Sequence, residues 1–185
     1  MPILGRWRDD RNVQRRAAQF VASLMREPDD ADVEWLGRSA TKGDLDHARW
    51  ELRYARRALG LIVAQRDALD DKTGSAVARE LTDAIARDGN VDATTVEIAE
   101  RQFNARISAY RDGLDARASG TSVATRLGQT LFAFSGGSFR SATTELTRGG
   151  ELLGAYATEA NQALRDAFGT AQLPENIPPS EILNR

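Results

Sequence analysis

The sequence predicts an all-α protein, an antiparallel helical bundle of about six or seven helices with three long ones. Two observations carry this. Apolar residues recur at spacings of three and four along most of the chain, and no segment alternates apolar and polar residues as a half-buried strand would. Between the periodic stretches stand short groups of glycine, asparagine, serine and proline, which stop one helix and start the next. No internal repeat of fixed period is present.

The first periodic stretch runs from Asn12 to Glu27, with Val13, Ala17, Phe20, Val21 and Leu24 on one stripe and Arg8, Arg11 and Arg15 on another side. Pro28, Asp29 and Asp30 stop it, and Asp30 is placed to cap a short helix through Val33, Trp35 and Leu36. Ser39 to Gly43 reads as a turn. The clearest helix follows from Asp44 to Asp70, where Leu45, Ala48, Leu52, Ala55, Leu59, Ile62, Arg66 and Leu69 form a seam. At 1.5 Å per residue it spans roughly 40 Å. Trp50 and Tyr54 widen its apolar circumference, which predicts a central position.

The next helix starts at Thr73 or Ser75, turns Val77, Ala78, Leu81, Ala84 and Ile85 to one side, and stops at Gly89 and Asn90. Thr94 followed by Glu97 is a capping-box pattern. It opens a long helix with the face Val96, Ala99, Phe103, Ile107, Tyr110 and Leu114. Ser119 to Thr121 turn into a shorter helix carrying Val123, Leu127, Leu131 and Phe134. The last long helix begins near Ser141, repeats through Leu146, Leu153, Tyr156 and Ala160, and stops at Gly169. Residues 1–169 thus read as one helical domain. Residues 170–185 read as an extended tail, because Pro174, Pro178 and Pro179 oppose a helix while Leu173, Ile177, Ile182 and Leu183 remain as apolar anchors.

Composition removes several chemistries. There is no cysteine, so disulfides, cysteine-ligated zinc, iron–sulfur clusters and cysteine nucleophiles are out, and the single histidine excludes any two-histidine site within one chain. With 25 basic and 27 acidic residues the charge is nearly balanced, which gives no prior for nucleic acid. The N-terminal residues lack the apolar run of a signal peptide, and no stretch reaches the roughly 20 apolar residues of a spanning helix. A cytoplasmic protein without a membrane span is the expectation.

Four arginines on the long seam helix, Arg49, Arg53, Arg56 and Arg57, are the first candidate site. Like charges three or four apart cost about 0.2–0.5 kcal/mol per pair, so something should compensate them. They either receive an anionic ligand or an acidic partner, or they pair within the chain with acids such as Asp46, Glu51 or those of neighbouring helices. Trp50 and Tyr54, one turn apart beside Arg53 and Arg57, either stack a ligand or partner side chain or belong to the core. Phe132, Phe134 and Phe139, around a Ser-Gly-Gly-Ser turn, either fold into the core or form an apolar interaction patch. Gly150 and Gly154 allow another backbone to come close.

His47 has Asp44 three residues before it and Glu51 four after. One such triplet does not make a metal site, and no metal or cofactor is expected. The stretch from Asp88 to Glu97 places its oxygens wrongly for a calcium loop. No serine or threonine carries a signature linking it to His47, so no catalytic residue is assigned.

The leading functional expectation is a non-enzymatic interaction or assembly subunit that self-associates through a long helix face and the tail, or binds another protein. The first alternative is a helical bundle with a central pocket for a small apolar or anionic ligand, lined by Trp50, Tyr54, Phe103 or Tyr110 with Arg53 or Arg57, and open to catalysis. The weaker alternative is nucleic-acid binding through Arg8, Arg11, Arg15 and Arg16 together with the seam-helix arginines.

Overall fold

Seven α-helices make up the regular structure of the described residues, which in this computed structural model are 3–67, 71–88, 96–115, 120–138 and 143–169. They are α1 (Ile3–Leu24), α2 (Asp30–Ser39), α3 (Leu45–Asp67), α4 (Asp71–Ala86), α5 (Val96–Asp115), α6 (Val123–Phe134) and α7 (Thr143–Phe168). No strand occurs among the described residues. Residues 170–185, Phe139 and residues 89–95 lie outside them.

Local chemistry sets the helix ends. Asp44 caps α3 by accepting the backbone N–H of His47 at 2.9 Å. Ser122 caps α6 by accepting that of Thr125 at 3.1 Å. The turn before α3 needs left-handed backbone at Lys42 and Gly43, and Gly169 takes the same conformation after α7. Three expected starts move, the first by most, since α1 begins at Ile3 instead of Asn12 and ends at Leu24 instead of Glu27. α2 begins at Asp30 itself, with Asp29 in the cap position offering its carbonyl to Asp32 and Val33 rather than a side-chain cap. α4 begins at Asp71, an acid that suits the positive end of the helix dipole.

The long seam helix α3 is the centre of the molecule. α2, α4, α5 and α7 pack on it. Its small residues Ala48, Ala55, Ala58, Gly60 and Ala64 are buried alongside Leu52, Leu59 and Ile62, so neighbours approach from several sides. Around α3 the contacts run α4 to α1, α1 to α7, α7 to α6 and α6 to α5. Among the described residues α4 and α5 share no extensive interface, so the described ring around α3 has an open seam there.

The tightest junction is α6 on α7, and glycine makes it. A methyl group added at Gly128 would overlap the carbonyl oxygen of Leu146, and one added at Gly150 would overlap that of Ala124. Gly149 lies against the Gly128 backbone. Gly154, by contrast, faces open space. The close approach expected of Gly150 therefore exists within the bundle, but its partners are Ala124 and Gly128 rather than a second surface read through Gly154.

Candidate functional site

Each arginine of the α3 strip has a carboxylate of its own chain. Arg49 pairs with Asp30 at 2.9 Å, Arg53 with Glu27 at 2.8 Å, Arg56 with Glu159 at 2.8 Å and Arg57 with Asp88 at 3.0 Å. The acids come from the residues after α1, from α2, α7 and the residues after α4, so the strip ties four segments to the central helix. Repulsion along it is compensated internally. Arg57 is the most enclosed, and its Nε and Nη1 find no hydrogen-bond partner among the described residues.

The aromatic residues follow the same pattern. Trp50 and Tyr54 have ring centroids 5.8 Å apart, and Tyr54 continues to Phe103 of α5 at 6.1 Å. Arg53 lies over the Trp50 ring at 4.9 Å, which joins it to the ladder. Phe132 is wholly buried against Trp35, and Phe134 is half-buried under a guanidinium group. Phe132 is therefore core, whereas Phe134 is half-buried between the Arg106 guanidinium and the Tyr110 ring. His47 Nε2 lies 3.4 Å from Glu51, and among the described residues no group of acids or histidines is arranged to hold a metal.

Sequence reasoning missed the main buried ion pair. Glu51 of α3 and Arg106 of α5 face each other as a two-point pair, Arg106 Nε donating to Glu51 Oε2 at 2.8 Å and Nη2 to Oε1. Both are almost completely enclosed. The guanidinium plane is held between Tyr54 at 4.7 Å and Phe134 at 4.5 Å. The signal was present: Arg106 falls in the stripe of Phe103 and Tyr110, where an unpaired charge would be too costly to bury. Tyr110 beside them is fully buried, and burial pushes its hydroxyl well above the usual range.

The open seam between α4 and α5 is a cleft of about 270 Å³. Leu61 of α3 forms its floor, Ala78 and Ile85 one wall, and Ala99, Phe103 and Ile107 the other. Thr82, Glu100 and Asn104 stand at it as the polar groups. Nine residues of α4, from Ala78 to Ala86, run along it, about 12 Å of helix. Of the residues expected to line a central pocket, Phe103 alone takes part. Trp50, Tyr54, Tyr110, Arg53 and Arg57 do not line this cleft. Leu61, Ile85 and Phe103 are only 8–9% exposed, so the apolar surface that another segment would take from water here, at roughly 25 cal/mol per Å², is small.

The chain matches no family model, no curated protein and no solved structure with which it was compared.

Proposed function

We propose that this chain is a non-enzymatic helical interaction subunit, and that its docking site is the apolar cleft between α4 and α5. The observation that carries the reading is the ring around α3, packed at every junction except this one. The α3 seam, the first candidate for self-association, is covered by the chain's own helices, and its arginines are paired internally. Among the described residues the cleft is an apolar concavity that no other helix fills. Its length of about 12 Å matches apolar side chains at positions i, i+4 and i+7 of a docking helix, or two anchors of an extended segment. Ala78 and Ala99 on the walls leave room for such side chains.

The test is selection of short random peptides on the full chain, followed by binding measurements on the Thr82→Trp variant, which fills the mouth of the cleft from an exposed position. Selected peptides should carry two or three apolar anchors and lose at least about tenfold in affinity for the variant, or about 1.4 kcal/mol. Failure to select binders, or equal binding to Thr82→Trp, would defeat the proposal.

A further inference from the structure

Separately from that cleft, we infer that a second groove, between α1 and α4, is a docking site for an acidic segment of a partner protein. The groove has a volume of about 460 Å³ and shares no lining residue with the cleft, so the two sites stand or fall independently. Val13, half-buried, and Ala76, buried, form its floor, and the exposed side chains of Gln14, Lys72, Ser75 and Arg79 form its rim. Lys72 and Arg79 lie two turns apart on one side of α4, about 10 Å from each other along the helix. Arg11 precedes Gln14 by three residues and shares its side of α1, and Arg15 follows one turn after Arg11. Asp71 and Asp83 lie on α4 outside the lining.

The cations of this face lack what the arginines of the α3 strip have. Each of those meets a carboxylate of its own chain, as do the exposed Arg38, Arg87 and Arg101. Among the described residues Arg11 and Arg79 have no carboxylate partner, and Arg15 bonds only the side-chain oxygen of Asn12, at 3.2 Å. Like charges one turn apart on α1 are thus left for something outside the chain to compensate. An acidic polypeptide suits the groove better than other polyanions. The floor of Val13 and Ala76 takes an apolar side chain, which a phosphate backbone does not offer. No lining side chain is aromatic, so nucleic-acid bases have nothing to stack on. The net charge of -2 opposes long-range attraction of a nucleic acid, yet leaves a local basic rim for a short acidic segment. An anionic membrane would need large apolar side chains on this face, and the exposed ones among the described residues, Leu45, Ile98 and Val123, belong to α3, α5 and α6. A docked helix with acids at i and i+7 and an apolar residue at i+4 matches both rim and floor.

The probe is a short fluorescein-labelled peptide of that pattern, with glutamate at i and i+7 and leucine at i+4. Its binding to the full chain is measured by fluorescence anisotropy at low salt, beside a copy with glutamine for glutamate and a short DNA duplex. The acidic peptide should bind at least about tenfold more tightly than either. Arg11→Glu with Arg79→Glu should weaken it at least about tenfold, whereas Arg38→Glu with Arg101→Glu, the same change of charge away from the groove, should weaken it less than about twofold. Ser75→Trp, which fills the groove without altering charge, should weaken it at least about tenfold. All of these positions are exposed, so thermal unfolding should show every variant folded. No binding of the acidic peptide, equal binding of the glutamine copy, equal losses for the two charge pairs, or indifference to Ser75→Trp would overturn the assignment. A duplex that binds more tightly than the peptide and is lost with Arg11 and Arg79 would replace it with a nucleic-acid surface.

Discussion

Replacing Arg106 by methionine isolates the buried charge at the junction of α3 and α5. The wild-type guanidinium makes two bonds to Glu51 and one to the Gln102 carbonyl at 2.9 Å, between two aromatic rings. Methionine of similar length keeps contact with Tyr54 and Phe134 but leaves the Glu51 carboxylate enclosed, with His47 at 3.4 Å as its remaining neighbour of opposite potential charge. Breaking one side of a buried pair costs about 3–5 kcal/mol, mainly the desolvation of the stranded charge. For a chain of this size that lowers Tm by roughly 10 °C. Removing both charges, Glu51→Leu with Arg106→Met, should restore stability to within about 1 kcal/mol of wild type or better, because two desolvation terms vanish with the attraction. Guanidinium unfolding of the three proteins measures both effects. A single variant that loses less than about 1 kcal/mol, or a double variant as unstable as the single, would refute the argument.

Gly128→Ala and Gly150→Ala should each destabilise by more than about 2 kcal/mol, since the new methyl meets backbone that cannot turn aside, whereas Gly154→Ala should stabilise by about 0.5–1 kcal/mol; thermal unfolding ranks them. Along the arginine strip, Asp30→Asn removes a carboxylate that is 83% exposed and should change stability by less than about 0.5 kcal/mol, but Asp88→Asn faces Arg57 at 2% exposure and should cost about 3 kcal/mol in the same assay. The three tyrosines, Tyr54, Tyr110 and Tyr156, are all raised by burial, Tyr156 to about 12. The folded state thus holds these protons longer than the unfolded one, so their contribution is complete below pH 10 and declines as pH rises through the folded values. Ultraviolet titration should show tyrosinate forming together with loss of helical circular dichroism; independent ionisation near pH 10 with the helices intact would contradict the burial.

The elements were legible because their causes are local. A three-and-four repeat, a capping Asp44, a left-handed turn at Lys42 and Gly43 and a stop at Gly169 each involve residues within a few positions of one another. Even the central place of α3 followed from apolar and aromatic residues around its circumference. Pairing across the molecule was not legible in the same way. Arg56 meets Glu159 across 103 positions, and Glu51 answers Arg106 across 55, where the sequence had offered Glu51 to the arginines of its own helix. Gly128 carries no local packing signature, because only the approach of α7 gives it a role.

The sequence by itself determined seven helical segments apart from the first turns of α1, which face of each is apolar, and which chemistries the chain lacks, since these depend on local periodicity and on side-chain inventory. The tertiary structure alone decided that the arginines of the α3 strip are each paired with a carboxylate of the same chain, that Phe132 belongs to the core, and that the described part of the ring around α3 stays open between α4 and α5. Those outcomes depend on which helix surfaces meet after collapse, a question of shape and burial among residues far apart in the chain, and no local pattern encodes it.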